Sequence, residues 1–233
     1  MTLSAVIQCH SQKMALYKTI ESFRTHYPVE DITIISDNSE DYSDISSHFN
    51  CNYIFSEINS NPGDFKNINC TKEYLKRIYD HCKNTNSNYV VLLETDVTTL
   101  RKVKYFPKHC GGPRYNSFSE KINNYLNQKL NTNKKYGYAM CGGSCFNREI
   151  FIKCYENKTI DFETLKFIDE NSVKYGDIIL TILFILNNYE YEIWNEVSEK
   201  NHYLNEFKII RDSAFDHQDK YWYNKSFCKE LIK

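Results

Sequence analysis

Glycine and proline are scarce in this chain, 7 and 4 of 233 residues, and the glycines fall into none of the patterns that cradle a dinucleotide or a phosphate. No Gly-x-Gly-x-x-Gly follows the first strand-like run, and no Gly-Lys-Ser/Thr loop occurs anywhere. A Rossmann dehydrogenase, the usual Rossmann methyltransferase and a P-loop enzyme are therefore disfavoured. There is no excess of one charge either: 29 basic residues stand against 30 acidic ones, a net charge of -1. Such a chain has no global field to draw in nucleic acid or an anionic membrane. Long apolar runs are also missing. The longest, Ile178 to Leu186, is broken by Thr181 and falls far short of the roughly 20 residues that span a membrane. The first ten residues lack the charged start and apolar core of a signal peptide. The nine cysteines are odd in number and contain no Cys-x-x-Cys pair, the usage expected of reduced thiols in a cytoplasmic protein. Cys141, Cys145, Cys154 and His109-Cys110 are a candidate zinc set, but their spacing is loose.

What the chain does have is alternation. Ser4 to Cys9 is an apolar run closing on Gln8, Cys9 and His10. Met14, Leu16, Tyr17, Ile20, Phe23 and Tyr27 then recur at helical spacing, and Pro28 ends the helix. Asp31 to Ser36 is a β-branched strand stopped by the turn formers Asp37-Asn38-Ser39. A short helix is expected over Tyr42 to Phe49, a strand over Asn52 to Ser56, and a loop at Asn59 to Gly63. Another helix is expected from about Asn69 to Lys83. Strand and helix in strict alternation predict an α/β domain with a mostly parallel central sheet and helices on both faces. With no linker or repeat in sight, residues 1–233 are expected to form a single domain.

The pivotal stretch is Asn88 to Thr99. Tyr89 to Leu93 reads as a central strand buried on both faces, and it stops at two carboxylates one residue apart, Glu94 and Asp96. Ligands of open α/β sheets sit outside the carboxyl ends of the strands. If the chain turns at Thr95, one carboxylate can face a metal and the other a sugar or hydroxyl. Beyond it, residues 101 to 116 are irregular and basic, and Ser117-x-x-Glu120 reads as a capping box opening a helix. Tyr136 to Met140 reads as a strand, followed by Gly142-Gly143, where backbone can come close to a ligand. Phe146 to Tyr155 and Asp161 to Glu170 read as helices, and Tyr189 to Trp194 as a strand. Ile178 to Leu186 reads as a buried helix with Asp177 at its amino end, a position equally suited to an N-cap.

In their order and spacing these pieces resemble a glycosyltransferase of the GT-A fold, nearest the family-two type. Ser36-Asp37-Asn38-Ser39-Glu40-Asp41 matches that family's Asp-Asp-Gly-Ser-x-Asp, with Ser36 in place of the first aspartate. Glu94-Thr95-Asp96 falls where the family's Asp-x-Asp metal motif ends the fourth strand, with Glu for the first Asp. Tyr138 to Arg148, with Gly142-Gly143, is similar to the strand beside the transferred sugar, and His217-x-x-Lys220 to the late His that completes the metal site. Asn61-Pro-Gly63 stands where the family often has Asn-x-Gly.

The resemblance implies a metal-assisted transfer of a sugar from a nucleotide-diphosphate donor to a glycan or other hydroxyl acceptor. Residues 1–100 would be the nucleotide-binding half and residues 101–233 the acceptor-side half. It implies donor contacts from Gln8, His10, Asp37, Asn61, Glu94, Asp96, Gly142, Gly143 and Lys220, with Asp37 on the nucleotide base. It also implies a Mn²⁺ or Mg²⁺ ion on Asp96 and His217, the imidazole favouring Mn²⁺. Asp177 is the candidate general base, with Asp169 and Glu170 as rivals. A catalytically degenerate domain that holds a nucleotide-sugar or glycan without turning it over is the alternative, kept open by Ser36 and Glu94. A sugar-nucleotide pyrophosphorylase would need a Gly- and Arg-rich loop after Ile7, which is missing.

Overall fold

The computed structural model describes residues 1–58, 68–113, 116–138, 140, 142–171, 176–201, 206–208 and 212–217. The first half follows the alternation: β1 (Leu3–Cys9), α1 (Lys13–His26), β2 (Ile32–Asp37), α2 (Ser43–Phe49), β3 (Asn52–Ser56), α3 (Ile68–Asn84) and β4 (Tyr89–Leu93). The second half is more broken. It comprises β5 (Val97–Thr99), β6 (Cys110–Gly112), β7 (Asn116–Ser117), α4 (Glu120–Leu130), β8 (Gly137–Tyr138), β9 (Cys145–Asn147), α5 (Arg148–Glu156), α6 (Phe162–Glu170) and α7 (Gly176–Leu186). The short strands β10 (Tyr191–Ile193), β11 (Val197–Asn201), β12 (Glu206–Lys208) and β13 (Phe215–His217) complete it.

Among the described residues the central sheet has the order β10-β6-β9-β4-β1-β2-β3. The pairs β1/β2, β1/β4, β2/β3 and β10/β6 are parallel, and only β9 runs against its neighbours β4 and β6. Strand period sorts the core into two layers. Leu3, Ala5, Ile7, Ile32, Ile34, Val91 and Leu93 pack on one face with Leu16, Ile20 and Phe23 of α1. Val6, Ile35, Val90 and Phe146 face the other way, onto residues of α3 to α7. The mixed α/β single domain with helices on both faces is thus the fold observed.

Several boundaries differ from the sequence reading for local reasons. The expected capping box at Ser117 is not formed: Ser117 lies in β7, and Ser119 caps α4 by accepting from the Ile122 N–H at 3.4 Å. Phe146 belongs to β9 and not to a helix. Asn147 then caps α5 through the Ile150 N–H, so strand and helix abut without a loop. The irregular basic stretch contains β6, which enters the central sheet because Gly111 lets the Trp194 ring lie against its backbone: an added Cβ would meet Trp194 Cβ at 2.7 Å. No helix among the described residues is long and apolar enough to cross a membrane.

A second sheet, unforeseen in the sequence, has the order β12-β11-β13-β5. It begins where β4 ends, and it positions the site.

Candidate functional site

β4 stops at Leu93, and a turn closed by the Val97 N–H on the Glu94 carbonyl (3.1 Å) hands the chain to β5 in the second sheet. The two carboxylates therefore sit on a bend between two sheets. β13 runs antiparallel to β5 with His217 opposite Val97. That pairing brings the imidazole over the bend, although His217 follows Asp96 by more than half the chain. His217 Nε2 lies 3.4 Å from Asp96 Oδ1 and 3.8 Å from Glu94 Oε2. Asp96 is 2% exposed, and its Oδ1 has no hydrogen-bond partner. A buried carboxylate oxygen whose neighbouring donor is an imidazole nitrogen at 3.4 Å is poorly satisfied, and a cation between the two would satisfy it.

The arrangement fits a divalent ion. Ligand atoms at about 2.0–2.2 Å from one ion lie up to ~4.4 Å apart; the imidazole nitrogen stands 3.4 Å from Asp96 and 3.8 Å from Glu94, and one atom each from the three residues lie within 4.8 Å of one another. Two oxygens and one imidazole nitrogen suit Mn²⁺, with Mg²⁺ served by the carboxylates. Among the described residues this trio is the one His/Cys/Asp/Glu group of metal-binding geometry. Of the candidate zinc cysteines, Cys141 lies outside the described residues, and the others are divided: Cys110 and Cys154 pack on one face of the sheet and Cys145 on the other. Burial pushes the Cys154 thiol up to about 12 and the Cys110 and Cys145 thiols well above their ordinary range.

The glycine pair closes one wall. Gly142 lies so near Glu94 that an added Cβ would stand 3.1 Å from the Glu94 carboxyl carbon and 3.0 Å from a Val97 methyl. Gly143 has φ 86°, the left-handed region where a side chain is strained. Its N–H donates to the Leu92 carbonyl at 2.6 Å, which ties the pair to the strand carrying Glu94.

Gln8, His10 and Asp37 cluster at the carboxyl ends of β1 and β2. Asp37 is buried and ion-paired at 2.7 Å with Arg77, a guanidinium only 3% exposed. Arg77 also donates to Gln8 Oε1 (3.1 Å), Glu73 Oε1 (3.1 Å), Ser56 Oγ (2.5 Å) and the Ile58 carbonyl (2.5 Å). The exposed His10 ring meets the Asp37 carbonyl through Nδ1 at 3.2 Å. Sequence reasoning missed Arg77. A signal was there: it falls on the Tyr74, Ile78, His81 stripe that α3 buries, and a cation on a buried stripe needs anionic partners.

The three candidate bases separate. Asp177 is half-buried in the first turn of α7, one residue inside the helix, so it is not the N-cap. Its Oδ1 accepts from the adjacent Ile178 N–H at 2.8 Å. Its carboxylate and that of Glu94 both act on the buried Tyr74 phenol. Burial first, and then these two carboxylates, hold that phenol well above its ordinary pKa. Tyr74 is a second residue missed from sequence, and its ring comes within 2.5 Å of where a Gly176 Cβ would be. Asp169 and Glu170 are exposed on the last turn of α6, with Glu170 ion-paired to Lys166. Asn61 and Lys220 lie outside the described residues.

No protein-family model and no curated protein sequence matches the chain. Among solved structures, the chain is similar to a crystal structure of the galactosyltransferase LgtC in complex with donor and acceptor sugar analogs. The TM-score is 0.52 at 11% identity, over 92% of this chain and 86% of the other. The likeness is one of fold, and it does not single out the family-two type suggested by the sequence motifs. By architecture, the chain has a GT-A-like fold.

Proposed function

We propose that the protein is a metal-dependent glycosyltransferase that moves a sugar from a nucleotide-diphosphate donor to a glycan or other hydroxyl acceptor. The observation carrying this reading is the Glu94, Asp96 and His217 trio with Asp96 Oδ1 buried and lacking a hydrogen-bond partner. Its position outside the end of β4, where open α/β sheets take their ligands, and the GT-A-like fold support it.

In this reading Asp96 and His217 hold Mn²⁺ or Mg²⁺, with Glu94 completing the set or turning to the donor. The bound ion would neutralise diphosphate charge as the leaving group departs. Asp37, fixed by Arg77, takes the nucleotide base with Gln8 and His10 beside it. Gly142 lets its backbone pack directly on Glu94, where a Cβ would crowd the carboxyl group, and so keeps that side chain at the edge of the sugar site. Asp177 takes the proton of the acceptor hydroxyl. Asn61 and Lys220 belong to the proposal through the sequence resemblance alone. Residues 1–100 serve chiefly the nucleotide and residues 101–233 the acceptor, with His217 reaching back across that division.

A binding-only domain is the second reading, and one observation favours it: Ser36 stands where the family pattern has its first aspartate, and its hydroxyl is spent on the Glu40 carbonyl at 2.7 Å. Donor hydrolysis with Mn²⁺ separates the two. The primary test is a thermal-shift panel of UDP-, GDP- and TDP-sugars, each with and without Mn²⁺. A ligand at 100 times its Kd stabilises by about 2.7 kcal/mol. One donor should raise Tm only with Mn²⁺, and Asp96→Asn should abolish that shift. A wild type unmoved by Mn²⁺ and every donor, or an Asp96→Asn variant that responds in full, would refute the metal site.

A further inference from the structure

His217 reaches Asp96 only because β13 lies on β5, and that ladder is short. Three residue pairs hold it: Thr99 with Phe215, Thr98 with Asp216 and Val97 with His217. Phe215 is fully buried and decides which face of β13 points inward, since a slip by one residue would expose it and turn His217 away. Burial of one ring does not set the position along the strand to the ~0.2 Å tolerance of metal ligation. Something else must.

At the far end of the same ladder, Arg101 follows β5 and Asp212 precedes β13. Arg101 Nε donates to Asp212 Oδ1 at 2.9 Å, and its Nη2 donates to the Asp212 carbonyl. Arg101 Nη1 pairs at 2.6 Å with Glu196, which is 3% exposed and leads into β11, the other neighbour of β13. Lys104 adds a contact to Asp212 at 2.5 Å. The Glu196 carbonyl accepts the Ala214 and Phe215 N–H groups, and Leu100 donates to the Ala214 carbonyl. One guanidinium thus joins the strands on both sides of β13 to the residue that opens it. A planar fork with donors in fixed directions suits this task in a way an ammonium does not.

We infer that Arg101, through its clasp on Asp212 and Glu196, is a positioning residue that sets the register of β13 and so places His217 for metal binding. The inference rests on the metal site proposed above. It also gives Arg101 an occupation at the start of a basic stretch that otherwise reads as a solvated face.

The test is Mn²⁺ and Mg²⁺ titration of the full chain, following free Mn²⁺ by its paramagnetic resonance signal and Mg²⁺ by competition. The variants are Arg101→Met, His217→Ala and the pair together. Loss of a residue that orients a ligand typically weakens metal binding 10- to 100-fold. Arg101→Met should therefore weaken Mn²⁺ about tenfold. It should weaken Mg²⁺ much less, since the imidazole is what favours Mn²⁺, and it should cost nothing further once His217 is gone. General loosening of the fold would instead lower both metals alike and add to His217→Ala. Either that pattern or unchanged Mn²⁺ affinity in Arg101→Met overturns the inference while the metal site stands. Wild type that binds no Mn²⁺ overturns both. Asp212→Ala, on an exposed side chain, breaks the same clasp from the other strand and serves if Arg101→Met does not fold.

Discussion

Replacing Arg77 by methionine keeps the length of the stem in α3 and removes the charge that Asp37 faces. Arg77 and Asp37 are 3% and 1% exposed and 2.7 Å apart, so the carboxylate left behind cannot turn to water. Removing one partner of a buried pair typically costs ~3–5 kcal/mol, most of it the stranded charge. Four further acceptors of Arg77, on Gln8, Glu73, Ser56 and Ile58, lose their donor as well, which places the expected loss in the upper part of that range. For a domain of this size 1 kcal/mol moves Tm by ~2–4 °C, so Arg77→Met should lower Tm by roughly 10–20 °C. Urea unfolding at pH 7 provides the free energy directly. The decisive comparison is Arg77→Met with Asp37→Asn in one chain, which removes the stranded charge and should be more stable than Arg77→Met alone. If Arg77→Met stays within about 1 kcal/mol of wild type, or if the two losses simply add, the buried pair does not work as described.

Two further outcomes follow from the same structure. His81 is buried between Ser4 Oγ (2.9 Å) and Thr33 Oγ1 (2.8 Å), and burial lowers its pKa from 6.5 to about 4. The unfolded chain therefore takes up this proton first, so stability holds above pH 6.5 and falls by about 3 kcal/mol as the pH drops towards 4. Urea unfolding at pH 7 and pH 4 should show a smaller fall in His81→Gln, and an equal fall would remove His81 as the cause. Asp177→Asn keeps an oxygen for the Ile178 N–H and should fold and bind donor as wild type does, while transfer to acceptor drops by roughly 100- to 10,000-fold. Transfer rates and donor affinity on one preparation check this, and a drop of only a few-fold would leave Asp177 without a role as base.

The first four strands and three helices were legible because each carries its own local code. β4 is an uninterrupted apolar run, and β1 and β2 are apolar at most positions, because helices cover both faces of the sheet. α1 and α3 show a stripe because only one side of each is buried. Glu94 and Asp96 were legible for the same reason: an apolar strand that ends in two carboxylates announces the edge of the core. Nothing local announces β5, β6, β9 or β13, each three residues long. A segment that short has no period to detect, and it becomes a strand only when a distant partner supplies its hydrogen bonds. In the second sheet β5 and β13 are joined by such a pairing, and so His217 meets Asp96. Arg77 and Arg101 divide along the same line. Sequence fixes that a cation sits on the buried stripe of α3 or at the end of β5. Only the folded chain, by carrying Asp37 to one and Asp212 and Glu196 to the other, decides what each cation holds in place.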